Sequence, residues 1–320
     1  MNIGKSSAIL LILLIVLLVS GCVEDFGDFG FNSDFEGVQT QENIEEETAD
    51  ILVIQDITTI PKSPIPPGQD FELMFTIKNL DEHKTVKNIE INLFDPSIFT
   101  VTGSDKETIT SLLPLGQKII TFSLKTPSAE DIANVKVTPT VSFNVKYDFT
   151  GTTTYDVVVV DMKEIEKQQK AGKKITPTIN KIIGSGPIKI YPELIGTDII
   201  LAGRTGSIKF LIKNEGRGDL EENKVAPNKL TINFERLVDG GGDVTEVPDG
   251  FDEGTKSNTK SNNKEIELYQ GESSPLIFKV KAPSKSELGG APYKTFNIKA
   301  DVNYTYELRG EMDITVEPIE

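Results

Sequence analysis

Four aspartates crowd one glycine-rich stretch of this chain. Asp239-Gly240-Gly241-Gly242-Asp243 is followed by Asp249-Gly250-Phe251-Asp252-Glu253. Calcium takes roughly six to eight oxygen ligands, and a flexible acidic loop can supply them. Asp239, Asp243, Asp249 and Asp252 are therefore candidate metal ligands, with Ca2+ the only cofactor the sequence suggests. The spacing is not that of an EF-hand, and a solvated acidic loop explains the same residues. Asn303-Tyr304-Thr305 is an N-glycosylation sequon; alternation with Val302 and Tyr304 predicts that Asn303 faces outward. Arg217-Gly218-Asp219 spells an adhesion tripeptide, but so short a string arises often by chance. The single histidine, His83, lies in the charged run Asp81-Glu82-His83-Lys84, so a histidine-based triad or metal site has almost no raw material. No pair among the 49 acidic residues stands out for glycosidase work, and no tryptophan is present for sugar stacking. The expectation is a protein that is not an enzyme.

The only cysteine, Cys22, stands directly behind an unbroken apolar run from Ala8 to Val19, with Lys5 ahead of the run and Ser20-Gly21 behind it. A basic start, a short apolar core and small residues before a cut site form the secretory-signal pattern. The run falls short of the about 18–20 residues that span a bilayer. Leu18-Val19-Ser20-Gly21-Cys22 resembles a lipobox, the cleavage and acylation signal of lipoproteins. That resemblance implies a signal peptide over residues 1–21, a lipid on Cys22, and a mature protein held at the extracytoplasmic face of the cell membrane. An ordinary signal peptide with a chance cysteine is the plainer alternative. With its one thiol acylated the chain has no intrachain disulfide, so its domains must be held by their cores. The formal net charge of −16 repels phosphate backbones and argues against nucleic acid as a partner.

The elements that would carry these residues are strands. Residues 22–50 read as an acidic flexible tether ending in Glu45-Glu46-Glu47, with Phe26, Phe29, Phe31 and Phe35 spaced among aspartates. From Ile51 the apolar residues alternate with period two: Phe71, Leu73, Phe75, Ile77; Ile89, Ile91, Leu93; Ile120, Phe122, Leu124. That is the pattern of half-buried strands. Val141, Phe143, Val145, Tyr147 and then Tyr155, Val157, Val159 read as a hairpin turning at Thr150-Gly151-Thr152. Residues 161–186 break the pattern; Met162 to Lys170 is a good helix former stopped by Gly172, and the segment reads as a helical linker.

Beyond it the first pattern returns. Gly68-Gln69-Asp70-Phe71 through Ile77-Lys78-Asn79 corresponds to Gly203-Arg204-Thr205-Gly206 through Ile212-Lys213-Asn214. Gly116, then Phe122 to Ser128, corresponds to Gly271, then Phe278 to Ser284. Phe143 to Tyr147 corresponds to Ala300 to Tyr304. Three matches in one order indicate an internal duplication. The second copy has gained its largest insert within a polar loop, 239–263, and loops carry specificity on a rigid scaffold. The Ile-Lys-Asn strands and the turns around them resemble CARDB-type immunoglobulin-like modules, also found in archaeal S-layer-associated surface proteins. The resemblance implies an all-β fold of two tandem immunoglobulin-like sandwiches, 51–160 and 187–320, and work in surface display. Together these features predict a membrane-anchored adhesion, spacer or envelope-assembly module. Its partners would be the membrane, through the N-terminal lipid, and other cell-envelope proteins or glycans. A ligand-binding accessory subunit using the second copy's loops is the alternative.

Overall fold

The computed structural model describes residues 39–44, 49–173, 177–252 and 258–318. Alternating residues become strand along nearly all of this length, and the chain is all-β with antiparallel pairing dominant. In chain order the strands are β1 (Gln39–Ile44), β2 (Leu52–Ile60), β3 (Asp70–Asn79), β4 (Val86–Asp95), β5 (Thr100–Val101), β6 (Lys106–Leu112), β7 (Gln117–Lys125) and β8 (Thr140–Val160). Helix α1 (Met162–Lys170) follows, then β9 (Thr178–Ile183), β10 (Ile188–Leu194), β11 (Ile200–Leu201), β12 (Thr205–Asn214), β13 (Asp219–Leu220), β14 (Lys224–Val225) and β15 (Leu230–Asn233). A short helix α2 (Glu235–Asp239) leads to β16 (Asp243–Glu246), β17 (Thr259–Ser261), β18 (Ile266–Tyr269), β19 (Glu272–Ser273), β20 (Leu276–Lys281) and β21 (Tyr293–Asp313).

These strands make three sheets. A 4-stranded sheet runs β2-β3-β7-β5, and a 7-stranded sheet runs β14-β18-β19-β12-β20-β16 with β10 beside β12. The third sheet is 10-stranded; its path is β1-β9-β8-β21-β15-β17, with β4, β6, β11 and β13 attached. Equivalent segments of the two copies pair in the same way. Strands β2-β3-β7 match β10-β12-β20, and β4-β8 matches β15-β21. The turns match too: Asn79 N donates to Gly116 O at 2.9 Å and Asn214 N to Gly271 O at 2.7 Å, while Gly68 N→Pro127 O and Gly203 N→Pro283 O are both 2.8 Å.

The long strands β8 and β21 pair antiparallel without a break, from Thr140 opposite Asp313 to Val160 opposite Tyr293. Asp148 lies opposite Thr305, and in the register that equates Tyr147 with Tyr304 these two residues are equivalents. The approximate two-fold axis of the duplication therefore passes through this pair. Strand β8 begins beside β4 and ends beside β9 and β11. Strand β21 begins beside β15, and the tail beyond it brings Val316 parallel to Ile65, just as Val159 lies parallel to Ile200. Each copy's last strand thus leaves its own copy and completes the other.

Alternation shows which way the cores face. Val141, Phe143, Val145 and Tyr147 are buried in the first half of β8, and Tyr155, Val157 and Val159 in the second. All are odd positions, so both smaller sheets pack on one face of the large sheet. In the first core Phe75 stacks on Phe143, ring centroids 4.0 Å apart. In the second, Phe278 is ringed by Phe210, Phe234 and Phe251 at 5.6, 5.5 and 5.1 Å. Between them, at the axis, Tyr147, Phe149, Tyr304 and Tyr306 form a buried cluster. The opposite face of the long strands is polar and half-exposed along most of its length.

Three expectations are corrected here. Thr150-Gly151-Thr152 is not a turn: it continues β8, because a Cβ on Gly151 would lie 2.7 Å from the carbonyl oxygen of Ile188 and only glycine lets that backbone approach. Gln39–Ile44, in the segment expected as flexible tether, forms β1, parallel to β9; the open edge of β9 offers backbone partners in place of the water that solvates a tether. The segment 161–186 is helical only over α1, capped by Asp161 and anchored by buried Ile165, and then returns to strand as β9. Cys22 and the phenylalanines of 26–35 lie outside the described residues.

Candidate functional site

The polar face of the large sheet carries a groove of about 920 Å3 where β8 and β21 cross the axis. Its floor is made of paired side chains. Asp148 accepts hydrogen bonds from Asn88 Nδ2 and Thr305 Oγ1, both at 2.8 Å, and Asn303 Oδ1 accepts from Thr150 Oγ1 at 2.7 Å. Its walls are the loops that follow β3 and β12, equivalent segments of the two copies. The terminal asparagine of each Ile-Lys-Asn strand holds its loop in the same way. Asn79 Oδ1 accepts from Asp81 N at 3.0 Å and Asn214 Oδ1 from Gly216 N at 3.1 Å, while their amides donate to Lys84 O and Gly218 O, each at 2.9 Å. A carboxamide can bridge both directions of a turn in this way because it donates and accepts at once.

Both walls present lysines. Lys84 reaches over the Phe149 ring, 5.1 Å from its centroid, and Lys87 is exposed beside it. On the other wall, Lys224 is held between Glu222 at 2.6 Å and Glu265 at 2.9 Å, and those hydrogen bonds push its ammonium further above its ordinary pKa. Lys229 is exposed, and its carbonyl accepts from Asn303 N at 2.8 Å. At the rim, burial pushes Asp81 up, but hydrogen bonds from Ser185 Oγ, His83 N and Lys84 N outweigh it and hold the carboxyl below its ordinary value. A second hollow, of about 1050 Å3, lies beside β10. Much of its polar lining is engaged: Lys209 pairs with Glu193 at 2.6 Å, Lys213 reaches out to Glu272 at 3.2 Å, and Tyr191 donates to Glu215 at 2.5 Å. Tyr155, which also lines it, is pushed up to about 12 by burial.

Of the residues singled out in the sequence, the structure brings only Asn303 into the groove, exposed on its strand as alternation predicts. The four aspartates do not converge. Asp239 ends α2 and Asp243 opens β16; Asp249 pairs with Lys264 at 2.8 Å, and Asp252 accepts from Asn263 at 3.0 Å. Among the described residues no group of three or more His, Cys, Asp or Glu could hold a metal ion. The 239–263 stretch is also less loop-like than its composition predicts. Phe251 is buried on Phe278, β16 and β17 add strands, and Asn262 is fully buried. In the Arg217-Gly218-Asp219 run, Arg217 N donates to Asp50 Oδ1 at 3.0 Å, and Asp219 is locked in β13 opposite Glu307. The groove lysines carry no sequence signal of their own, since they meet only through the crossing of β8 and β21; the repeat register of Asn79 and Asn214 was the one available clue.

No protein-family model matches the chain, and no curated protein matches it. Among solved structures, the C-terminal globular domain of an oligosaccharyltransferase from Pyrococcus abyssi aligns over 80% of this chain and 45% of its own, at 13% identity and a TM-score of 0.21. The native α-2-macroglobulin of E. coli aligns over 84% of this chain and 23% of its own, at 10% identity and a TM-score of 0.18. The chain spans less than half the length of either. Among the described residues no helix is long and apolar enough to cross a membrane.

Proposed function

We propose that this chain is a non-enzymatic surface lipoprotein: a body of two immunoglobulin-like β-sandwich copies, of the kind CARDB-type modules represent, displayed on the extracytoplasmic face of the membrane. The observation that carries this reading is the junction Leu18-Val19-Ser20-Gly21-Cys22 behind a short apolar run. The lipid on Cys22 fixes the base, and β1, which pairs with β9, holds the start of the body at the edge of the large sheet. Such a body spaces, adheres or assembles, and its partners are other envelope proteins or glycans. The groove at the axis favours a second reading, a ligand-binding accessory subunit, in which the contact surface is built by both copies rather than by the 239–263 segment. The anchor is tested by expressing Cys22→Ser in the native host and following membrane partition and intact mass. The expected result is loss of the lipid mass and release of the protein, or retention of an uncleaved precursor. Unchanged membrane retention with a cleaved signal would overturn the reading.

A further inference from the structure

We propose that the groove at the two-fold axis is a binding site for an acidic saccharide chain. The first support is shape. The hollow is an open trough whose two walls follow equivalent strands, and each wall carries two lysines, Lys84 and Lys87 on one side and Lys224 and Lys229 on the other. A linear polymer of repeating units is the ligand that such a trough matches. The second support is charge. In a chain of net charge −16, four lysines line this one place: Lys84, Lys87, Lys224 and Lys229. Lys87 and Lys229 are exposed, and among the described residues neither is engaged in an ion pair. Lysine ammonium groups give point attraction for ligand carboxylates.

The third support separates a saccharide from a denser polyanion. Asp148, Glu221 and Glu222 stand among the lysines; carboxylates repel any ligand anion but accept hydrogen bonds from sugar hydroxyls, so the groove suits widely spaced negative charges. Among the described residues no arginine lines the groove, although arginine gives the bidentate geometry that phosphate recognition favours. The floor offers amide and hydroxyl groups, Asn88, Asn303, Thr150 and Thr305, which both donate and accept. A ligand with sparse negative charge and many hydroxyls satisfies all three kinds of side chain. A nucleic acid, with a phosphate on every nucleotide, meets the lysines but is repelled by the three carboxylates.

This inference rests on the display reading only for where the ligand is met, and its test reads binding alone, so the two fail separately. Full-length protein in detergent is titrated calorimetrically with hyaluronate, which carries a carboxylate only on alternate sugars, and with dextran and single-stranded RNA, at low and physiological salt. Binding is expected for hyaluronate only, weakened by salt as exposed charge pairs are. The double variant Lys87→Gln/Lys229→Gln is expected to bind roughly tenfold or more weakly. Lys163→Gln/Lys170→Gln, on α1 and away from the groove, is expected to bind like the unaltered protein. Both doubles change partly or fully exposed side chains, and an unchanged melting temperature checks that they fold. Failure to bind hyaluronate, equal binding of dextran or RNA, or equal affinity in the Lys87/Lys229 double overturns the proposal.

Discussion

Cutting the chain between its two copies should unfold both halves. In a fragment covering 49–173, the second half of β8 loses its partners β9, β11 and the first half of β21. Tyr155, Val157, Val158, Val159 and Val160 are all buried in the whole chain and would face water. Full burial of such a side chain is worth about 1.5–3 kcal/mol, so this strip amounts to about 7–15 kcal/mol. A compact denatured state lowers that by roughly 10–40%. What remains still matches the about 5–15 kcal/mol by which a whole domain is stable. The first copy also loses Tyr306, Leu308, Ile314 and Val316, which reach its core only from the far end of the chain. The assay is size-exclusion chromatography and thermal melting of 49–173 and 177–320, alone and mixed. Each alone should be unfolded or aggregated; the mixture should give a one-to-one complex with a cooperative melt. A monomeric 49–173 that melts cooperatively within a few degrees of the full chain would refute the exchange of strands.

Gly151→Val should cost at least the about 1–3 kcal/mol of an overpacked core, read as a lower melting temperature, because its Cβ meets the Ile188 carbonyl at 2.7 Å. Phe75→Ala should cost about 3–5 kcal/mol in denaturant unfolding, since the ring is stacked on Phe143. Asn262→Ala should cost about 2–5 kcal/mol: its side chain accepts from Lys229 N and Leu230 N and donates to Ala226 O and Lys264 O, and buried groups left unpaired cost about 1–3 kcal/mol each without adding fully. Asp81 has a depressed folded pKa, so its contribution is present above the unfolded value near 3.8 and is lost as pH falls below that and through the lower folded value. The melting-temperature gap between the unaltered protein and Asp81→Asn should therefore shrink below about pH 4.

Much of this fold was legible as pattern. Period-two alternation located the strands, and the recurrence of Ile-Lys-Asn located the duplication, because both are local properties of the chain. The exchange was not legible. A strand that continues past its own copy has the same alternation as two strands joined by a turn, and Gly151 between two threonines reads as that turn. Only the approach of Ile188, far along the chain, shows why glycine is there. The polar 239–263 stretch misled for a related reason. Its composition is that of a loop, yet one phenylalanine and one asparagine, Phe251 and Asn262, fasten it to the core. The carboxylates drew attention by their density in sequence, but density in sequence is not convergence in space, and Asp249 and Asp252 found Lys264 and Asn263 instead.

The same asparagines that make the repeat recognisable also build the groove. Asn79 and Asn214 end equivalent strands and brace equivalent loops, and the pairing of β8 with β21 brings those loops face to face across the axis. Neither copy contains the site by itself: one wall and half the floor come from each. Asn262 extends the coupling, since its oxygen fixes the backbone of Lys229 from inside the second core. Loss of that amide should therefore loosen the wall as well as the fold. If the groove binds a ligand, Asn262→Ala should weaken binding at temperatures where the protein is still folded, whereas Phe75→Ala, which empties a core on the other face of the sheet, should leave binding unchanged under the same conditions.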